Sequence, residues 1–402
     1  MSEPIRSGYV NWIDGMKMSR THFLELQQAV EDRIRDERAR AAYHADFGLL
    51  PGRFNGKPSL DYELTFDGRA KFTVKLRQCR AVTQGGDRIE VLAGEDPAET
   101  RLSRTVEIED TLMQEGHEFD LMVKIDSLNM EPYGVPNVQE SPPRHPFARP
   151  ACTLEWAPTK ELRPEGYALS LLTIARVRVS RGELTHDTEY MPPCVSVASL
   201  PRLEDFHAGY HRFLKEAEQN LFKIVIRLNM RDKRTDLSDA VDTYCRAAIG
   251  FLERDLGAFQ TQGNRMAPRE MVTSAASFAR ALRYSIELLT GKGKDEMLNY
   301  VNTVIAVTPG DYLQTMSRLT DLEYQHTDLK DALMRILEFC RVNRKLLDEW
   351  VRLDYIGQRK NEDIFIHEET TRFVPPPPTP APRPAAPPPP PPQPQPKRGW
   401  SF

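Results

Sequence analysis

The chain has 402 residues, 40% hydrophobic and 28% charged, with a formal net charge of −4. That length can bury cores for two or three domains, and the small net charge offers no global field for nucleic acid. The five cysteines (Cys79, Cys152, Cys194, Cys245 and Cys340) are widely spaced and lack a C-x-x-C pair. That argues against a disulfide framework or a structural zinc and for a reducing compartment.

The opening MSEPIRSGYV lacks the apolar core of a signal peptide. No stretch approaches the roughly 18 apolar residues of a membrane span, so a cytoplasmic protein is expected. Residues 11–23, NWIDGMKMSRTHF, set Trp12, Met16 and Phe23 among charges, with Gly15 for a tight turn. From Thr21 to about Tyr43 the spacing is helical, with Phe23, Leu26, Gln27, Val30 and Ile34 on one face and Ser19 or Thr21 to cap its start.

Between about 58 and 198 the pattern alternates in short segments, YELTF, KFTVKLRQ, RIEVL, EFDLMVKI and ALSLLTIARVRV. Turn signals at 84–87 and 180–183 suggest hairpins, and the whole suggests a β-sandwich. Residues 131–150 hold six prolines and read as a long loop at an edge or an interface.

After the prolines of YMPPC, Pro201 marks a helix start. Leu203, Phe206, Tyr210, Phe213, Ala217, Leu221, Ile224 and Leu228 then recur at three- and four-residue steps. Helices are expected near 236–260, 268–290 and 294–306, followed by one long helix after Pro309. Its face would hold Leu322, His326, Leu329, Leu333, Ile336, Cys340, Asn343, Leu347 and Trp350. Such a seam requires another helix, from the same chain or from a symmetry mate. His326 and Asn343 on it are either buried polar specifiers or marks of partial exposure.

From 375 to 396 lie 15 of the 32 prolines, and the arm ends in KRGWSF. This reads as a disordered polyproline tether whose Trp400 and Phe402 anchor it in a pocket elsewhere. The expected organisation is therefore mixed α and β. An N-terminal segment and first helix (1–57) pack with a β-sandwich (58–200), followed by an α-helical bundle (201–356) and a disordered proline-rich tail (357–402).

No catalytic motif stands out. GKGKD at 291–295 has Asp where a phosphate-binding loop has Ser or Thr, and reads as a turn between helices. His22 and Glu25 are one helical turn apart without a second pair, so no metal and no cofactor are expected. The mixed charges of RIRDERAR suit a solvated helix face rather than nucleic acid.

Several stretches together resemble the TssK family of type VI secretion baseplate subunits. Trp12, Gly15, Met16, His22 and Phe23 fall on its opening pattern, FGLL follows the first helix, and Met191, Pro192, Pro193 and Cys194 match its junction. TPGDYLQTMSRL and the segment around His326 and Asp328 resemble its late helices. With gaps, the match runs from about 9 to 350.

The resemblance implies a non-enzymatic homotrimer. Its β-sandwich shoulder docks on the TssF–TssG wedge, its helical neck forms a central bundle, and a C-terminal head reaches the inner-membrane complex. Here the last helix is followed only by GQRKNEDIFIHEETTRFV and the proline arm, so the arm is expected to take over the head's membrane-side contact. The residues this assigns to partner binding are Trp12, Met16, His22, Phe23, Trp400 and Phe402. A bundle or trimer seam falls to Phe206, Tyr210, Phe213, Leu221, Ile224, Leu329, Ile336 and Leu347. The competing readings are a phage-tail-like receptor-binding or tail-baseplate protein, a carbohydrate-active enzyme on a β-sandwich, and, for the arm alone, a ligand of proline-recognition domains.

Overall fold

The computed structural model describes residues 5–41, 45–92, 102–160, 168–230, 234–290 and 292–353. The predicted tail, with Trp400 and Phe402, lies outside them. Helix α1 (Arg20–Ala41) comes first, followed by strands β1 (Gly48–Leu49), β2 (Leu60–Phe66), β3 (Lys71–Val82), β4 (Arg88–Val91) and β5 (Ser103–Glu107). Then come β6 (Glu118–Tyr133), β7 (Phe147–Pro158), β8 (Leu171–Ser180) and β9 (Glu183–His186).

The strands form two antiparallel sheets. In the first, β3 is the hub and pairs with β1, β2, β4 and β5; the second has the order β7-β6-β8-β9. The alternation in KFTVKLRQ does what it promises: Phe72, Val74 and Leu76 are buried, and they share one apolar core with Phe119, Leu121, Val123 and Ile174 of the other sheet. Each apolar face needs another layer to cover it, and a sandwich supplies it.

Six helices make the bundle: α2 (Pro201–Asn229), α3 (Asp236–Gln262), α4 (Pro268–Glu287), α5 (Gly293–Ile305), α6 (Pro309–Thr320) and α7 (Lys330–Arg352). Their starts are written in the sequence. Pro201, Pro268 and Pro309 occupy first-turn positions where no amide hydrogen is needed. Thr235 and Ser238 close a reciprocal cap at 3.1 and 2.8 Å.

Three expectations change. The long helix after Pro309 is two helices, separated at 321–329. The four–three spacing runs unbroken through this gap, so periodicity alone conceals it. The Asp328 carboxylate accepts from the Lys330 amide at 3.1 Å and restarts the helix. The predicted loop 131–150 is shorter than expected: β6 runs to Tyr133 and β7 begins at Phe147, which leaves 134–146 as the loop. The predicted apolar face of α1 is mostly bare: Phe23, Val30 and Ile34 are exposed, whereas Ala29 and Asp32 are buried.

The five thiols are free; Cys79, Cys194, Cys245 and Cys340 are buried and Cys152 is half-buried. Burial pushes the four buried thiols well above their ordinary value.

Candidate protein-interaction surfaces

A buried carboxylate ties down the start of the N-terminal segment. Asp32 accepts from the backbone amides of Arg6 and Ser7 and from the Arg35 guanidinium. Burial opposes its charge, but Arg35 and the two amides prevail and hold the carboxyl below its ordinary value. Arg33 lies 4.2 Å over the Tyr9 ring. Gly15 then turns the chain at φ +79°, where a side chain would be strained, and the Met16 amide bonds the Ile13 carbonyl at 3.1 Å.

Ser19 precedes α1, and its amide donates to His22 Nδ1 at 3.3 Å, so this histidine does the work an acid does in a capping box. Trp12 meets His22 edge-on at 6.1 Å and Phe23 at 6.4 Å. The structure thus brings Trp12, His22 and Phe23 together, and Met16 is half-buried. Trp12 is 45% exposed and Phe23 55%. With Ile13 and Met18, also exposed, they make an aromatic and apolar surface of the kind that marks protein contacts.

The predicted seam closes within the chain. Tyr210, Phe213, Leu221 and Ile224 of α2 are buried, as are Leu329, Ile336 and Leu347, while Phe206 is half-buried. Helix α2 packs on α3 and α7. Asn343 is 1% exposed; its carbonyl oxygen lies 2.9 Å from the Tyr244 hydroxyl and 3.1 Å from that of Tyr312. A buried polar position on a helix face therefore fixes the packing of helices from one chain.

On the outer side, α2 and α7 flank a groove of about 1050 Å³. Phe206, Leu337, Arg212, Glu216 and Arg344 are among the residues that line it. Lower on α2, Phe222 and Ile226, with Met230 just past its end, form an exposed stripe at four-residue steps, and Met230 is 79% exposed. Sequence reading had followed the opposite, buried face of this helix.

The sandwich and bundle join at the 321–329 connector. His326 Nε2 lies 2.8 Å from the Phe47 carbonyl, which can only accept, so Nε2 carries the proton and Nδ1 accepts from the Tyr324 hydroxyl at 2.8 Å. Burial lowers the His326 pKa. The Tyr190 hydroxyl donates to the Thr327 carbonyl at 3.2 Å, Arg176 bonds Asp328, and Lys330 pairs with Glu189 at 2.7 Å.

A smaller cavity of about 490 Å³ lies beside β9, where the Tyr62 hydroxyl sits 3.0 Å from His186 Nε2. Burial raises the tyrosine to about 12 and lowers the histidine, so both groups are held neutral. Among the described residues, no group of three or more His, Cys, Asp or Glu is placed to hold a metal ion, and no helix is long and apolar enough to cross a membrane.

The element the sequence reading missed is the hairpin of β6 and β7. Its tip leaves Val135 86% and Val138 82% exposed, with Phe147 and Met130 also exposed. The six prolines at 131–150 were the available signal, and they hid how far the strands continue.

The sequence matches no protein-family profile and no curated protein. Solved structures do match. A chain of the type VI secretion system TssK–TssF–TssG baseplate subcomplex, seen by cryo-electron microscopy, is 13% identical with a TM-score of 0.50, covering 86% of this chain and 99% of that one. A crystal structure of TssK is 17% identical with a TM-score of 0.48, covering 85% of this chain and 68% of that one. A chain of the baseplate complex of the type VI secretion system is 14% identical with a TM-score of 0.47, covering 83% and 99%. At such identities the likeness is one of architecture, and this chain shares its fold with that chain of the TssK–TssF–TssG baseplate subcomplex.

Proposed function

We propose that the chain is a structural baseplate subunit of a type VI secretion system, a member of the TssK family that works through protein contacts and not through catalysis. The cluster of exposed Trp12 and Phe23 around half-buried His22, on a TssK-like fold, carries this reading. A tryptophan and a phenylalanine held in place by a cap and a turn form a preorganised anchor, and aromatic anchors dominate the energy of protein interfaces. The partners proposed for it are TssF and TssG, the proteins with which the structural neighbour forms its subcomplex.

The assembled form is a homotrimer in the cytoplasm, peripheral to the inner membrane. The C-terminal arm, through Trp400 and Phe402, reaches the membrane-side complex. Support for the arm's role comes from the sequence: a basic proline tether ending in two aromatic residues.

The test is co-purification with TssF and TssG. The double variant W12A/F23A should lose the wedge proteins while keeping its circular dichroism and native mass. Deleting residues 397–402 should leave wedge binding intact and weaken capture by membrane-complex subunits. Undiminished wedge binding by the double variant would overturn the assignment of this surface.

A further inference from the structure

The 490 Å³ cavity beside β9 differs from the other concave surfaces of the chain in its charge. The groove between α2 and α7 is lined by four acidic residues, and a cleft of about 600 Å³ beside α1 by five. The residues lining the cavity at β9 include no acid at all, and Arg202 is their one fixed cation. The nearest carboxylate in sequence, Asp187, pairs instead with Lys330 at 3.5 Å. Among the described residues Arg202 has no carboxylate partner; one of its Nη groups donates to the Thr188 carbonyl, and the rest of its fork of donors is open.

The walls come from β2 of one sheet, β8 and β9 of the other, the 188–192 junction and the first turn of α2. The floor is apolar: Leu60, Ile174 and Pro192 are buried and Leu200 is half-buried. Tyr190 adds a ring, its hydroxyl being committed to the Thr327 carbonyl. Two hydroxyls, of Tyr62 and Thr188, complete the lining. A small set of convergent donors over an apolar floor, in a volume of several hundred Å³, is the build of a small-ligand site.

We propose that this pocket binds a carboxylate carried on a compact apolar body, a branched aliphatic or aromatic acid. The guanidinium fork of Arg202 matches the two carboxylate oxygens. Tyr62 supplies a further donor. Its hydroxyl lies 3.0 Å from His186 Nε2, and a bound anion selects the arrangement in which Nε2–H donates to the phenol oxygen and the phenol O–H donates to the ligand. The Arg202 charge already reaches both groups: burial sets their shifted pKa values, and the guanidinium acts on each as a smaller cause. The apolar body lies on Leu60, Ile174 and Leu200. A free acid and the C-terminal residue of a peptide present this same chemistry.

Saturation-transfer NMR on the full chain tests the site, with N-acetylleucine and 3-phenylpropionate as probes. Ligands of this size should bind at about millimolar concentration. N-acetylleucinamide has the body without the charge and acetate the charge without the body; each should bind at least about tenfold more weakly than N-acetylleucine. Arg202→Gln should weaken the acids by a similar factor and leave the amide unchanged. Thr188 is exposed, so Thr188→Asp sets a carboxylate beside Arg202 without disturbing the core and should exclude the acids. Both variants should keep the circular dichroism of the parent. The W12A/F23A variant should bind the acids as the parent does, since this site is separate from the aromatic surface. The peptide acetyl-Gly-Ser-Leu, with its carboxylate free, identifies the source: tighter binding than N-acetylleucine assigns the pocket to a chain end, equal or weaker binding to a free acid. No binding of either acid, equal binding of acid and amide, or undiminished binding by either pocket variant would overturn the proposal.

Discussion

Arg176 of β8 and Asp328 of the connector pair at 2.6 Å, and this contact ties the sandwich to the bundle. Arg176 also bonds Asp120 at 3.1 Å and lies 4.5 Å over the Tyr190 ring. Burial works against the guanidinium charge, but the two carboxylates outweigh it and raise the pKa. Arg176→Met would leave both acids in the joint without their cation, an expected loss of about 3–5 kcal/mol. Asp328→Asn keeps an acceptor and should cost less. Urea unfolding of both variants checks the order, and equal losses would mean that the pair is not what holds the joint.

The buried Asn343 should be the most sensitive polar position in the bundle. Asn343→Ala strips the acceptor shared by the Tyr244 and Tyr312 hydroxyls; these lie 2.8 Å apart, so one can donate to the other and the second is left without an acceptor. Leaving one such buried group unpaired costs about 1–3 kcal/mol, to which the lost packing adds. Denaturation of N343A beside Tyr312→Phe measures this. The phenylalanine variant should be the milder, since it removes a donor without emptying the site.

Stability should fall on mild acidification. His186, His207, His211 and His326 all sit below the ordinary imidazole value of 6.5, with burial the first cause in each. The unfolded chain therefore binds more protons over that range. The stabilising contribution is complete above the unfolded value and is lost as pH drops through the lowered folded ones. Urea midpoints should decline between about pH 7 and pH 5. His207 stacks on Phe259 at 4.6 Å, so His207→Phe should keep the packing and flatten the decline.

Gly48 permits no side chain. It has φ +113°, and a Cβ there would lie 2.1 Å from the Pro193 carbonyl oxygen. The neighbouring Leu49 amide bonds that same oxygen at 2.8 Å, so the backbones cannot separate without losing the contact between β1 and the 193–194 junction. Gly48→Ala should cost about 3 kcal/mol or more, in the range of strained or overpacked backbone sites. Thermal unfolding of this single variant suffices to check it.

The sequence was most legible where one periodicity faced one core. Phe72, Val74 and Leu76 alternate and are buried together; Tyr210, Phe213, Leu221 and Ile224 repeat and line the inside of a bundle. It was least legible where a pattern says that a face requires cover without saying from whom. The seam on α2 is covered by helices of its own chain, whereas the stripe of Phe23, Val30 and Ile34 on α1 is left bare. The break at 321–329 escaped because its cause is tertiary: the connector is held open by Arg176, Phe47 and Tyr190, residues more than a hundred positions away. His22 was weighed as a ligand, and only the Ser19 amide beside it revealed its capping role.

Four of the five thiols are sealed in cores and shifted away from thiolate, which leaves half-buried Cys152 as the accessible one. The folded chain is therefore close to a blank background for maleimide chemistry. With Cys152→Ser, one cysteine introduced at Val138 or Trp12 would take up a dye at a single known place, and the tip of the β6–β7 hairpin and the N-terminal aromatic cluster could each be followed by fluorescence in the assembling particle.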